Sequence, residues 1–262
     1  MIEANLDYHL AQGVDFVIAT DNRSEDRTPE ILSRYERQGL LHLIHEPADD
    51  YSHGRWVTRM ARLAATDCGA DWVINCDADE FWWPKTGTLK EVFSAIPERF
   101  GMVVAPSTAF VPRPHERGFF ADRMDVREVG ENFMHPKVAH RARADVQVRD
   151  GNHSVDAPDL APVPFWHPIH ILHFPLRTYA QFENKVRKGG RAAESNPELP
   201  PKVHRVRRAL YRLYLEGGLP DYYASKVMDD DAIEAGLRDS TLRRDKRLKR
   251  FLAERRGVPS TP

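Results

Sequence analysis

Apolar positions in the first hundred residues change period from one segment to the next, and these changes set the elements. Ile2, Leu6 and Leu10 fall at helical spacing ahead of Gly13, which predicts a helix over 2–12. Val14 to Thr20 is an apolar run fit for a buried parallel strand. Thr28 can cap a helix with Pro29 in its first turn, Ile31, Leu32 and Tyr35 inward, and Gly39 beyond its end. Leu40 to Ile44 returns as a strand. Arg55 to Ala65 reads as a helix with Trp56, Met60 and Leu63 inward, and Trp72 to Cys76 is the next strand. Strands separated by helices in this order imply right-handed crossovers and a mostly parallel sheet, so the expected class is α/β.

The period weakens afterwards. Thr88 and Glu91 form a capping-box signature ahead of Leu89, Val92, Phe93 and Ile96. Gly101 to Ala105 predicts a strand. The stretch 106–168, rich in Pro, His, Arg and Asp, predicts loops with short antiparallel strands, of which 138–140 and 146–148 stand out. Ile169 to Phe174 predicts a strand, and Tyr179 to Lys188 a helix closed by Gly189 and Gly190.

The strongest chemical signal sits where the 72–76 strand ends. Asp77-Ala78-Asp79-Glu80 lies between an apolar strand and the aromatic block Phe81-Trp82-Trp83. Residues two apart on an extended chain share a face, so Asp77 and Asp79 would emerge together at the strand's carboxyl end. Two carboxylates that close repel unless a hard divalent cation neutralises them. The pattern therefore points to a Mg²⁺ or Mn²⁺ site that also grips a substrate diphosphate. A solvated acidic turn is the plainer alternative, and the flanking hydrophobic blocks weigh against it.

Composition narrows the rest. The chain has 262 residues, 41% of them hydrophobic, enough for one substantial core with a small appendage. A formal net charge of −1 argues against a nucleic-acid binder. Cys68 and Cys76 have neither metal nor redox spacing and read as buried reduced thiols. No apolar run approaches the ~20 residues that span a bilayer, and no signal-peptide pattern opens the chain, so a cytoplasmic location is expected, with peripheral membrane contact left open.

Two weaker constellations remain. The loop Asp21 to Thr28 follows its strand at the edge where doubly wound folds bind nucleotides, and Asp21 can accept from a base or ribose. Turning the chain and capping the next helix explains the same residues. Among the histidines, His153 lies in a Gly-Asn-His turn, and His170 and His173 lie on a later strand. An imidazole at His173 suits Mn²⁺ beside carboxylates, and the following Lys185, Arg187, Lys188 and Arg191 suit a diphosphate, or are an ordinary solvated helix face.

Taken in order, residues 5–15, Thr20 to Thr28, Asp77-Ala78-Asp79-Glu80-Phe81, and Leu172 to Val186 with Gly189-Gly190 resemble the family-2-like glycosyltransferases of GT-A fold, in their bacterial branch. The resemblance spans about 2–195 and implies a GT-A domain there, with 196–262 a basic helical extension able to cover an acceptor cleft or touch an anionic membrane. It implies a nucleotide-sugar donor contacted by Asp21, with Lys185 near its phosphates. Asp77 and Asp79 would be the Asp-x-Asp pair, Asp79 the more direct metal ligand and a catalytic residue, and Asp77 nearer the ribose or sugar. His173 would be a further metal ligand, and His153 would serve the acceptor side or act as a ligand. The acceptor is a glycan, lipid or protein.

An inverting member needs a general base, for which Glu80, Glu128, Glu131 and Asp150 are candidates. The family's usual first strand has no counterpart here, because the chain opens inside the helix that follows it; the 14–20 strand is then expected to present an open edge. A metal-dependent phosphoesterase and a non-catalytic binding module of the same fold are the competing readings.

Overall fold

The computed structural model describes residues 1–48, 52–114, 117–195 and 205–256. In chain order the elements are α1 (Ile2–Ala11), β1 (Val17–Asp21), α2 (Thr28–Arg37), β2 (Leu41–His45), α3 (His53–Thr66), β3 (Trp72–Ile74), β4 (Glu80–Pro84), α4 (Leu89–Ser94), β5 (Met102–Ala109), α5 (Phe120–Arg123) and β6 (Val126–Glu128). They continue with β7 (Asn132–Arg141), β8 (Gln147–Val148), β9 (Val155–Asp156), β10 (Ile169–His173), α6 (Tyr179–Ser195), α7 (Arg205–Leu215), α8 (Leu219–Ala224), α9 (Asp230–Arg238), β11 (Leu242–Arg244) and α10 (Arg247–Arg255). Two compact units result, one of residues 1–47, 52–108 and 130–173, the other of 109–129 and 174–262 with a short piece near 48. Helix α6 thus groups with the C-terminal helices, and the expected boundary at 195/196 falls at the edge of the described residues.

In the first unit β1 and β2 pair in parallel, Val17 opposite Leu41 through Asp21 opposite His45. Their inner faces join α1 and α2 around Leu6, Leu32, Tyr35, Leu41 and Leu43. The main sheet has the order β3-β7-β5-β10-β4. Its β3–β7, β5–β7 and β10–β4 pairs are antiparallel. The expectation of a mostly parallel sheet is therefore corrected: three pairs of the main sheet are antiparallel, and β1 with β2 forms a separate parallel pair. A strand buried on both faces reads as a continuous apolar run whichever way its neighbour points, so the pattern gives burial and not direction. β1 has β2 as its strand neighbour among the described residues.

Strand β4 ends the main sheet, and α1 closes its free edge with side chains. Asn5 Nδ2 donates to Glu80 O at 2.7 Å and Tyr8 Oη donates to Trp82 O at 3.0 Å. Trp82 N–H donates to His9 Nε2 at 3.3 Å, while His9 Nδ1 lies 2.8 Å from Asn5 O. Asn5, Tyr8 and His9 share one helix face by their spacing, so a single helix satisfies the backbone groups that a further strand would have taken. An acceptor at Nε2 requires the neutral ring with its proton on Nδ1, and burial keeps His9 neutral by lowering its pKa to about 4, against the opposing Asn5 carbonyl.

The capping box at Thr88 and Glu91 forms as expected, Thr88 Oγ1 accepting from Glu91 N and Glu91 Oε2 accepting from Thr88 N. Thr28, expected as a cap, is instead the first residue of α2, with Pro29 beside it. In the second unit α6 runs through Gly189 and Gly190 rather than stopping there. A Cβ on Gly190 would stand 2.3 Å from Tyr211 Cβ, and one on Gly189 2.8 Å from Arg207 Nη1, so these glycines admit α7 against α6. Cys68 is exposed, contrary to expectation, and Cys76 is half-buried. Among the described residues no helix is long and apolar enough to cross a membrane.

Candidate functional site

The Asp-x-Asp segment does not stay extended. Glu80 N donates to Asp77 O at 3.0 Å, closing a turn between β3 and β4 that sends the two carboxylates in different directions. Asp77 faces the end of β7 and the 150–152 turn: its Oδ2 lies 2.6 Å from Lys137 Nζ, and its Oδ1 accepts from Asn152 Nδ2 at 3.0 Å and stands 3.6 Å from His53 Nε2. Asp79 faces β10, with Oδ1 3.6 Å from His173 Nε2. Register explains that pairing, since His173 lies opposite Glu80 across the antiparallel β10–β4 ladder.

Glu80 is fully buried behind the turn, 2.9 Å from Lys137 Nζ. Burial, then the neighbouring Asp77, push its pKa up to about 7, while Lys137 and His173 pull the other way. Burial also works against charge on Asp77 and on Lys137. For Asp77 the His53 bond and the Lys137 charge overcome it and hold the carboxyl well below its usual range. For Lys137 the two carboxylates overcome it and hold the ammonium above its ordinary value. The lysine is thus committed to Asp77 and Glu80.

The supporting loop is built by backbone conformation. Gly151 and Asn152 adopt positive φ of 76° and 61° between the short antiparallel strands β8 and β9, which aims Asn152 at Asp77. Asp150 accepts from Gly54 N at 2.7 Å at the start of α3, anchoring the same loop beside His53. His153 Nδ1 lies 2.9 Å from Pro136 O and its ring is 5.4 Å from His135; burial lowers its pKa, with the Pro136 bond opposing.

Of the sequence candidates, Asp77, Asp79, His153 and His173 belong to the first unit and stand on or beside this turn and the loop supporting it. Asp21 is buried at the end of β1, where its Oδ1 accepts from Ser24 N at 3.4 Å. Lys185 lies on α6 in the second unit. Among the base candidates, Glu80 is enclosed, Glu131 pairs with Lys85 at 3.1 Å, Asp150 anchors α3, and Glu128 lies on β6 of the second unit. Sequence reasoning missed Lys137, His53 and Asn152. A lysine at an inward position of a strand, in His135-Pro136-Lys137-Val138-Ala139, was the available signal for the first.

Among the described residues no group of three or more His, Cys, Asp or Glu side chains is placed to hold a metal ion. Magnesium-like cations commonly take one or two carboxylates and complete their shell with water and substrate phosphate, and Asp79, 3.6 Å from His173, is one such carboxylate. A shallow depression of about 400 Å³, lined by Arg55, Arg59 and Arg62 of α3, shares no lining residue with the Asp77–Glu80 turn.

A model of glycosyltransferase family 92 matches residues 1–99, a segment that includes Asp21, Asp77, Asp79 and Glu80. The match thus falls on a glycosyltransferase family, though not on the family-2-like group resembled above. No curated protein matches the chain. The crystal structure of S. aureus TarS 1–349 in complex with UDP aligns over 99% of this chain and 90% of its own, at 13% identity and a TM-score of 0.40. A second S. aureus TarS 1–349 structure aligns over 100% and 91%, at 11% identity and a TM-score of 0.34.

Proposed function

We propose that this chain is a cation-assisted glycosyltransferase that takes a sugar from a nucleoside-diphosphate sugar. The observation that carries the reading is the Asp79–His173 pair, 3.6 Å apart, on the turn where Lys137 holds Asp77 and Glu80. The match of residues 1–99 to a glycosyltransferase family supports the same chemistry.

In this reading Asp79 and His173 hold Mn²⁺ or Mg²⁺, which when bound supplies Lewis-acid stabilisation to the departing diphosphate. Lys137 bridges Asp77 and Glu80, which ties those two carboxylates to the turn's own cation. Asp77 positions the turn through Lys137, Asn152 and His53, and in this reading serves the donor's sugar or ribose. Asp21, at the carboxyl end of a parallel strand, is the nucleotide contact. His153 is on the acceptor side.

Two-metal phosphoester hydrolysis is disfavoured, because it requires ligands for two ions roughly 3.5–4 Å apart. The test is a thermal-shift and calorimetric titration with UDP, GDP and CDP, with and without Mn²⁺. Wild-type protein is expected to bind one of them in a Mn²⁺-dependent way. Asp79→Asn should abolish that binding with the fold intact, and His173→Ala should weaken metal affinity. Undiminished binding by folded Asp79→Asn protein sinks the assignment.

A further inference from the structure

Two braced protrusions in the first unit carry large apolar side chains into solvent. The first is in β7. Between the pairs Ala105–Lys137 and Ser107–Asn132, a two-residue step on β5 faces a five-residue step on β7. Pro106 and Pro136 lie within those steps and have no N–H to give a ladder, so 133–136 bulges from the sheet. Phe133 and Met134 are exposed on that bulge, Met134 at 83%.

The second protrusion is the loop 161–168, which holds Pro162, Pro164 and Pro168. Its base is tied to β5 by Val163 N donating to Met102 O at 2.9 Å, and its far end by His167 Nδ1 at 3.0 Å from Val104 O. At its tip Phe165 is fully exposed, at 102%, and Trp166 is exposed beside it. Phe165 also has φ +56°, a conformation strained for a bulky residue. A side chain that neither packs in the core nor relieves its backbone calls for a role outside folding. The two protrusions meet where the Phe133 and His167 rings lie 4.8 Å apart.

We propose that this surface is the acceptor subsite and that it takes an oligosaccharide, whose sugar rings stack on Phe165, Trp166 and Phe133. The inference rests on the glycosyltransferase reading. A pyranose has an apolar C–H face and a rim of hydroxyls; the first matches the electron-rich ring faces, and the second matches the neighbouring imidazoles. The surface is continuous with the proposed chemistry: the bulge carries His135, whose ring neighbours His153, and ends at Lys137, which holds Asp77. A bilayer is the poorer occupant. Residues 130–136 and 159–168 contain no Lys or Arg and include Glu131 and Asp159, so anionic lipid gains no attraction there.

The test titrates a panel of linear tetrasaccharides, differing in sugar and linkage, by saturation-transfer NMR against wild type, Trp166→Ala and Phe165→Gly. Glycine accepts the positive φ, so Phe165→Gly removes the ring while relieving the backbone, and its Tm should equal or exceed that of wild type. At least one tetrasaccharide should bind, and each variant should weaken it roughly tenfold, the scale of one lost ring contact. Binding of UDP with Mn²⁺ should be unchanged in both. The proposal is overturned if wild type binds no tetrasaccharide or if both variants bind as wild type does. It is equally overturned if wild type sediments with phosphatidylcholine–phosphatidylglycerol vesicles and the same substitutions abolish that. Failure of nucleotide binding alone counts against the glycosyl-transfer reading, while the saccharide titration still decides this one.

Discussion

Acid should loosen the first unit at one definable place, His9. Its neutral ring accepts the Trp82 amide proton and lies within hydrogen-bond distance of Asn5 O; protonation puts a donor against the Trp82 N–H. The folded-state pKa is lowered from 6.5 to about 4, with burial the main cause. A histidine depressed in this way contributes stability that is complete above its unfolded pKa and is lost as pH falls toward the folded one. The window is therefore pH 6.5 to 4. At 1.36 kcal/mol per unit the loss across it is about 3 kcal/mol. Glu80 opposes this in part of the range, because a carboxyl raised to about 7 favours the folded state below its unfolded value and loses that contribution as pH rises through 7. A difference measurement removes that term. His9→Leu leaves the buried Trp82 N–H without an acceptor, which should cost about 1–3 kcal/mol at pH 8. Urea unfolding of both proteins from pH 8 to 4 should show the gap closing on acidification, because wild type gives up what the variant never had. A gap that stays constant between pH 7 and pH 4 refutes the assignment of His9 as the titrating group.

Three further outcomes follow from packing and charge. Lys137→Met leaves Asp77 and Glu80 without their cation and should destabilise by about 3 kcal/mol or more by urea unfolding; adding Glu80→Gln should recover part of that in a double-mutant cycle. Gly190→Ala drives a methyl into Tyr211 and should cost about 1–3 kcal/mol in thermal unfolding, where an unobstructed glycine inside a helix would gain about 1 kcal/mol from alanine. Thr88→Ala removes the reciprocal cap of α4 and should cost about 1 kcal/mol, with no change in Mn²⁺-dependent nucleotide binding.

Local signals in the chain were read well where they depend on neighbours in sequence. The capping box at Thr88 and Glu91, the helix before Gly13 and the strand before Asp77 all have causes within a turn or two. Direction of strand pairing does not, since the partners of β3, β5 and β10 lie tens of residues away and buried strands look alike in either sense. The Asp-x-Asp segment was recognised by composition, but its turn depends on Lys137 and Asn152, sixty and seventy-five residues on. The same distance effect misled at Gly189 and Gly190, where a stop signal in sequence is a contact surface in space, set by Tyr211. The proline-braced aromatics at 133 and 165–166 carried no periodic signal at all; only their exposure and the Phe165 backbone single them out.

The closure of β4 by side chains has a consequence for how these molecules behave in concentrated solution. A sheet edge finished by another strand is protected by main-chain groups whose pairing is indifferent to pH, whereas this one is guarded by an amide, a phenol and an imidazole of α1. Once the imidazole takes a proton, the Trp82 N–H is released on a strand of sequence Glu80-Phe81-Trp82-Trp83-Pro84. That is a short, aromatic, β-prone edge of the kind that recruits the same edge of a second molecule. Aggregation of this chain should therefore begin on acidification near pH 4, before the core melts. It should start at β4, with Pro84, which has no N–H to offer, limiting how far a second molecule can zip along it.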